Sequence, residues 1–353
     1  AGAKLEVKTD KGSMKVGWFG SPTVREDTIA VMLGNGKKVG RYAKDRGANA
    51  YALLAGSTDA ASGALVLSGT VGTVQRVAGE SGVHALCGSM HQDGRSIAVA
   101  VNPDDAVKNL AGEPGSIVPI HHPPVDERVK AAGPVDMYPE PQHPTYRFLT
   151  VFDTNACNGC GACQVACALE NNIPFVGPDQ LRKGREMTWI RMDRFFEGEG
   201  ENPDVRYLPA VCQHCAHAPC EGVCPVLATY HNLDGLNAMI YNRCVGTRYC
   251  ANNCPYAARR FNYHTWEWPE SYHLMLNPDL STREMGVMEK CTFCVQRTRA
   301  AKDAYRDVAF AERTDASRPI DATKHRVPDE ALRKLTACAA ACPTEAITFG
   351  NWL

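Results

Sequence analysis

The sequence contains no long apolar run, because nowhere in its 353 residues do 18 apolar side chains follow one another. Its most apolar stretch, residues 48–74, is interrupted by Gly, Ser, Thr and Asp59, so it predicts no bilayer-spanning helix. The formal net charge is only −1, which gives no electrostatic reason to expect nucleic acid or an anionic membrane surface as a partner. The motif C-x-x-C-H is also absent, and we therefore expect no covalent haem on this chain.

The sequence begins at Ala1, without Met and without a charged-then-apolar leader, so we expect a processed chain or the tail of a longer polypeptide. Hydrophobic residues make up 44%, which is enough for a packed core and argues against global disorder. Any membrane role of such a protein comes through a partner.

Cysteine, by contrast, is abundant: 15 of the 16 cysteines fall into four tight groups between residues 157 and 342. In chain order the groups are Cys157-x2-Cys160-x2-Cys163-x3-Cys167, Cys212-x2-Cys215-x4-Cys220-x3-Cys224, Cys244-x5-Cys250-x3-Cys254, and Cys291-x2-Cys294 with Cys338-x3-Cys342. A secreted disulfide scaffold is one alternative, but such scaffolds do not usually repeat one local spacing. Cys87 is left over, and we interpret it as a structural thiol.

The spacing follows the bacterial ferredoxin run C-x2-C-x2-C-x3-C-P, in which the fourth cysteine ligates the other cluster of a pair. With two residues between cysteines, one tight loop can bring three thiolates to three irons of the same cluster. The following x3-C-P segment directs the fourth thiolate toward a second cluster. Groups two, three and four end in CPVLA, CPYAA and CPTEA, which is an internal repeat; group one continues CALEN without Pro.

Group three is one cysteine short, because Thr247 stands where the ferredoxin run has its second cysteine. A hydroxyl is a poor iron ligand beside thiolates, so the cluster there should lack one iron. The sequence therefore predicts three [4Fe–4S] clusters and one [3Fe–4S] cluster. Four zinc sites are the alternative, but zinc ribbons pair two C-x2-C units, whereas these groups carry three or four cysteines each.

Several cations flank the groups and could offset the negative charge of thiolate-bound clusters. We single out Arg243, Arg248 and Lys290, together with Thr247, as candidate cofactor-binding residues. The other flanking cations are Arg259, Arg260, Arg297 and Arg299. Ordinary surface charge and hydrogen bonding to clusters are both open interpretations of these residues.

Strand and turn patterns suggest three regions: a β-rich part over 1–55, a Gly- and Pro-rich linker over 56–145, and a cysteine-rich domain over 146–353. In the first region we expect strands on both sides of Lys11-Gly12 and over 28–33. In the third we expect strands over 147–153, 235–242 and 346–350, a β-hairpin before group two (186–196 and 204–211), and exposed helix and loop over 295–337.

Over residues 147–350 these motifs resemble the four-cluster ferredoxin subunits of the molybdopterin oxidoreductase superfamily, such as those of DMSO, polysulfide and nitrate reductases. The segments LPAVCQHCAHAPCEGVCPVLATYH, YNRCVGTRYCANNCPYAARRFN and GVMEKCTFCVQR look more closely like the iron–sulfur subunit of bacterial alternative complex III. GNGKKVGRYAKDRGANAYAL (34–53) resembles the end of the molybdopterin-like domain of that subunit. The stretch before the clusters is too short for a complete domain of this kind, so we expect no molybdopterin here.

The resemblance implies an α+β fold: two interleaved ferredoxin-like units with an inserted β-hairpin, preceded by a β-rich remnant of a molybdopterin-type domain. It also implies cross-ligation between groups. Cys157, Cys160 and Cys163 would pair with Cys342; Cys291, Cys294 and Cys338 with Cys167; Cys212, Cys215 and Cys220 with Cys254; and Cys244 and Cys250 with Cys224.

The same resemblance implies a peripheral position on the periplasmic face of the membrane. Its partners would be an integral quinol-binding subunit and a multihaem cytochrome c subunit. The rest of the molybdopterin-like domain would lie either on a separate chain or in a stretch upstream of Ala1. The function it implies is electron relay from quinol toward cytochrome c haems, without catalysis by this chain alone. The alternative is electron delivery to a true molybdenum enzyme.

We predict that the fully loaded protein contains about fifteen irons per chain and absorbs visible light through thiolate–iron charge transfer. Metal analysis and an absorption spectrum of anaerobically purified protein test this. A colourless protein that contains zinc in place of iron would contradict the prediction.

Overall fold

The computed structural model describes residues 3–40, 43–83, 90–95, 97–100, 143–198, 203–268, 271–311 and 326–353. Cys87 lies outside the described residues, so its predicted structural role is untested. The chain divides into two units: Ala1–Ala85 with Phe196–Asp204, and Leu86–Phe195 with Val205–Leu353. The region boundaries at residues 55 and 145 stay predictions.

The first unit contains a three-stranded sheet. Strand β1 (Lys4–Lys8) pairs antiparallel with β2 (Ser13–Gly17) on one side and with β3 (Thr73–Val77) on the other. The alternation of β1 and β2 buries Val7 and Met14 against a short 3-10 turn, Ala50–Leu53. This small sheet therefore packs its single apolar face on one turn of chain.

The strand expected over 28–33 is wrong, because no strand forms there. Ile29 and Met32 are exposed, whereas Val31 and Leu33 pack against the core of the sheet without pairing to a strand. The third strand comes instead from Thr73–Val77, inside the stretch interpreted as linker. It takes the free edge of β1, which satisfies backbone groups that would otherwise face solvent.

In the second unit, β4 (Phe148–Phe152) pairs antiparallel with β11 (Ile347–Asn351), from Phe148 opposite Asn351 to Phe152 opposite Ile347. This pairing confirms the strands expected over 147–153 and 346–350. It also places the start of cysteine group one beside the end of group four, because each group adjoins one of the two strands. Helices α1 (Ala162–Glu170) and α7 (Ala337–Ala340) pack together next to this pair.

The rest of the second unit consists of short elements between the cysteine groups. The strands are β5 (Arg191–Glu197), β6 (Asp204–Ala210), β7 (Thr229–His231), β8 (Asn237–Met239), β9 (Arg260–Phe261) and β10 (Met288–Glu289). The helices are α2 (Gly177–Arg182), α3 (Pro219–Gly222), α4 (Tyr249–Asn252), α5 (Val295–Ala311) and α6 (Asp329–Arg333). The predicted pairing of β5 with β6 is confirmed, and β8 lies inside the strand expected over 235–242.

Two apolar cores hold these elements in place. One gathers Trp189, Ile190 and Ile347 around helix α1, and the other gathers Phe148, Phe349 and Leu332. Small helices and strands alternate throughout, which agrees with the expected α+β class. Within the described residues, no helix is long and apolar enough to cross a membrane.

We predict that Leu332→Ala lowers the free energy of unfolding by about 2–5 kcal/mol, because Leu332 is 0% exposed and its removal leaves a cavity among aromatic rings. Leu233→Ala is the matched control: this leucine is 66% exposed, and we expect a change within about 0.5 kcal/mol. Urea unfolding followed by circular dichroism compares the two. Equal midpoints would show that Leu332 does not support the core.

Candidate metal centres

Cysteines from different groups meet in space. One small cavity is lined by Cys157, Cys160, Cys163 and Cys342, which we name the Cys342 set. A second small cavity is lined by Cys224, Cys244 and Cys250, which we name the Cys224 set. Among the described residues, no three His, Cys, Asp or Glu side chains converge closely enough to hold a single ion.

The Cys167 set consists of Cys167, Cys291, Cys294 and Cys338. Burial raises the pKa of Cys167 well above its ordinary value, and the three neighbouring thiols of the set raise it further. Asn171 lies beside this set, with its Nδ2 atom 3.6 Å from Cys167 Sγ and 3.9 Å from Cys294 Sγ. A neutral amide therefore offers hydrogen bonds to two thiols from different groups.

The Cys254 set consists of Cys212, Cys215, Cys220 and Cys254. Burial raises the pKa of Cys215, and the other three thiols act on it in the same direction. In the Cys342 set, burial likewise raises the pKa of Cys163 to about 12. Because a thiolate is the form that binds iron, metal insertion at such a buried thiol has to displace a proton.

The four loops share a backbone feature that the spacing alone does not reveal. In each loop, the residue just before the second ligand position has a left-handed backbone: Gly159 (φ 69°), His214 (φ 45°), Gly246 (φ 73°) and Phe293 (φ 52°). This conformation reverses the chain between two ligand positions, so that both side chains of the C-x2-C step can face one space. Thr247 follows the left-handed residue of group three, as the second cysteine does in the other loops.

Glycine has a steric role at two of these positions. A Cβ on Gly159 would collide with the ring of Tyr207, and one on Gly246 would collide with the Gly286 carbonyl oxygen. His214 and Phe293 take the left-handed conformation without glycine, which costs each about 1–2 kcal/mol. Their rings contact each other, with centroids 4.0 Å apart, and this buried packing offsets that cost.

The Cys-Pro-x-x-Ala repeat also has a structural explanation. The third residue after the cysteine is left-handed in all three copies, at Leu227, Ala257 and Glu345. This turn directs the following alanine N–H toward the thiol, so that Ala228 N lies 3.2 Å from Cys224 Sγ and Ala258 N lies 3.4 Å from Cys254 Sγ.

These backbone donors change the acidity of the thiols. Burial alone would raise the pKa of Cys224, but N–H groups of Val226, Ala228 and Thr229 bring it below its ordinary value. The pKa of Cys342 is lowered in the same way, by Thr344 and by backbone N–H groups. In these two copies the repeat therefore stabilises a thiolate at the position that crosses to another group's set.

The candidate cofactor-binding residues lie in different surroundings. Thr247 and Arg248 line the cavity of the Cys224 set, and both are exposed. Arg248 donates to Tyr263 Oη (3.0 Å), and Arg243 donates to the Leu227 carbonyl (3.2 Å). Lys290 is 0% exposed, and its Nζ donates to the carbonyl of Cys291 at 2.8 Å.

Two polar residues near the thiols were not singled out from the sequence. Arg259 donates to Cys220 Sγ at 3.0 Å, although the sequence placed it only among many flanking cations. Asn171 was missed altogether. Two features of the sequence could have indicated Asn171. Group one has no proline directly after Cys167, so a helix can continue there, and Asn171 lies four residues after Cys167, which is about one helical turn.

Four thiol sets, each joining two cysteine groups through left-handed loops, define a ferredoxin-like protein built for several iron–sulfur clusters. The comparison with known families agrees: a 4Fe-4S dicluster domain matches residues 203–270, and a second 4Fe-4S dicluster domain matches residues 156–228.

Several curated iron–sulfur subunits are similar to this chain. The iron–sulfur cluster-binding subunit of menaquinone reductase from Nitratidesulfovibrio vulgaris is 41% identical over 204 residues, covering 57% of this chain and 74% of that protein. The iron–sulfur subunit of a putative dimethyl sulfoxide reductase from Halobacterium salinarum is 40% identical over 156 residues, 43% of this chain and 58% of that protein. A tetrathionate reductase subunit from Salmonella typhimurium is 34% identical over 158 residues, 44% of this chain and 52% of that protein.

This chain belongs to the family of iron–sulfur cluster-binding subunits that carry 4Fe-4S dicluster domains. It spans about three quarters of the first of these relatives and little more than half of the other two.

Proposed function

We propose that this chain is the electron-transfer subunit of a membrane-bound quinol oxidoreductase of the alternative complex III type. It relays electrons from quinol toward cytochrome c haems. An integral quinol-binding subunit holds it on the periplasmic face of the membrane, a multihaem cytochrome c accepts its electrons, and a separate chain carries the rest of the molybdopterin-like domain. Family membership supports the electron-transfer role, and the alternative complex III assignment rests on the sequence resemblance.

We assign the cluster ligands from the thiol sets. The Cys342, Cys167 and Cys254 sets, with four thiols each, would hold three [4Fe–4S] clusters, and the Cys224 set, with three, would hold one [3Fe–4S] cluster. The observation that carries this assignment is the cavity of the Cys224 set, where Thr247 lies at the position of the missing thiol. Soft thiolates are the ligands that such clusters take in proteins.

When bound, the clusters supply reversible one-electron transfer at potentials that their surroundings adjust. The chain's own contribution is to fix them and to control the dielectric around them. The buried thiols of the Cys167 set exclude water, and Asn171 donates to two of them. No general acid, base or nucleophile is needed on this chain, since quinol oxidation and its proton release belong to the membrane partner.

A second candidate function is electron delivery to a molybdopterin enzyme that acts on a small substrate. Two relatives favour it by name, the putative dimethyl sulfoxide reductase subunit (40% identical) and the tetrathionate reductase subunit (34% identical). This role needs the same four sets, so the thiols themselves do not distinguish the two candidates. The identity of the partner subunits does.

We predict that Thr247→Cys removes the [3Fe–4S] electron paramagnetic resonance signal of the oxidised protein and adds a [4Fe–4S] signal to the reduced protein, because it supplies a fourth thiolate to the Cys224 set. The iron content should rise by about one atom per chain. Thr73→Cys is the control, since it adds a thiol on exposed strand β3, outside all four sets. If the unmodified protein has no [3Fe–4S] signal, the assignment of the Cys224 set fails.

We predict that the native complex, purified with this chain as bait from solubilised membranes, contains c-type haem polypeptides and no molybdenum. Haem staining, elemental analysis and subunit identification measure this together. A molybdenum-loaded partner without cytochrome would reject the alternative complex III type and support the second candidate function.

A further inference from the structure

Arg259 is a buried cation in direct contact with a thiol. It is 5% exposed and lies immediately before strand β9, five residues after the last cysteine of group three. Its Nη2 atom donates to Cys220 Sγ at 3.0 Å and to Asn237 Oδ1 at 2.6 Å, and its Nη1 atom donates to Thr229 Oγ1 at 2.9 Å. Three hydrogen bonds therefore fix the guanidinium against a member of the Cys254 set.

The same guanidinium acts on the neighbouring Cys224 set. Cys220 and Cys250 belong to the two different sets and pack in one buried cluster, where helices α3 and α4 meet. The Nη1 atom of Arg259 contacts Thr229 Oγ1 at 2.9 Å and Met239 Sδ at 3.8 Å, and both of these residues line the cavity of the Cys224 set. Arg259 therefore lies against both sets from one position.

The positive charge of Arg259 has no carboxylate beside it. Within the described part of the chain, its donors contact only neutral oxygens and sulfur atoms, and it forms no salt bridge. The nearest acidic link is indirect, because Asn237 accepts from Arg259 and donates to Glu221. The thiols are thus the groups best placed to balance this charge.

The Cys167 set has a different kind of donor. There the side chains that hydrogen-bond the thiols are neutral, the amide of Asn171 and the hydroxyl of Thr336, and Lys290 donates to a carbonyl oxygen and not to sulfur. Reduction of a cluster adds one negative charge, and a buried cation favours that added charge far more than an exposed one does. An arginine on one thiol set and an amide on another will therefore hold their clusters at different potentials.

We propose that Arg259 is a shared positioning residue that raises the reduction potentials of the clusters held by the Cys254 and Cys224 sets. The proposal rests on the cluster assignment under Proposed function. It makes the potentials of both centres depend on one buried cation.

The test is a potential titration of the anaerobically purified, cluster-loaded complex, followed by electron paramagnetic resonance. Arg259→Met removes the charge, and Arg259→Lys keeps the charge but loses the planar fork of donors. For Arg259→Met we expect the reduced-to-oxidised ratio of both clusters, at the wild-type midpoint potential, to fall at least tenfold, which is about 59 mV for one electron. Arg259→Lys should lower the reduced-to-oxidised ratio of both clusters as well, but by a smaller factor than Arg259→Met.

The control variant is Lys334→Met, which removes one positive charge from a side chain that is 53% exposed and lies four residues before Cys338. Solvent screens a charge at that position, so the reduced-to-oxidised ratios of all four clusters should stay within about twofold of the wild-type values. The clusters of the Cys342 and Cys167 sets should also stay within about twofold in Arg259→Met. Cys215→Ser identifies the signal that belongs to the Cys254 set.

Unchanged potentials in Arg259→Met, or a shift in only one cluster, would overturn the shared role. So would equal shifts in Arg259→Met and Arg259→Lys, because the charge would then not be the cause. Loss of both clusters in both variants would make Arg259 a structural residue and reject the tuning role. Absence of iron–sulfur signals from the wild-type complex would instead reject the proposed function itself.

Discussion

The structure of the second unit depends on one constraint: thiols from loops far apart in the sequence must face the same small space. Each set joins cysteines of two groups, so no group forms a set from its own cysteines alone. This requirement explains why the intervening strands and helices are short. They serve to return the chain to a shared site, and the two apolar cores fix the loops that carry the thiols.

The charges around the thiols are arranged unevenly. Arg259 donates directly to a thiol, whereas Lys290 donates to the backbone carbonyl of a cysteine. Asn171 donates to a thiol but carries only a dipole and no net charge. Arg243 and Arg248 lie in solvent with their guanidinium groups on a carbonyl and a phenol. Since solvent screens exposed charges, the buried donors dominate the electrostatic environment of the sets. Burial, rather than proximity in sequence, decides which flanking cation matters.

Much of the cysteine-rich unit could be predicted from the sequence, because the spacing of the cysteines is a short-range pattern that can be read from the sequence alone. The four groups, the strands β4 and β11, and the β5–β6 pair follow from it and from alternating side chains. The left-handed backbone at His214 and Phe293 could not be predicted, since residues other than glycine take that conformation only uncommonly. Their geometry is set by packing of the two rings, which is a long-range contact.

The first unit was harder to predict for a related reason. The run over 28–33 has strand-like residues and covers part of the core without forming a strand, whereas Thr73–Val77 is mostly exposed and forms one, because the edge of β1 is available to it. Local propensity is a weak guide where hydrogen bonding to a distant edge decides the outcome. Contacts of Asn171 and Arg259 depend equally on residues distant in the chain.

The pairing of β4 with β11 has a consequence for how the protein matures. Cys342, at the far end of the cysteine-rich region, completes the set begun by Cys157, and Cys338 completes the set that contains Cys167. A ribosome therefore has to synthesise the whole cysteine-rich region before either set is complete. Under the proposed ligand assignment, a chain terminated just before Cys342 keeps every earlier loop but lacks one thiol of the Cys342 set.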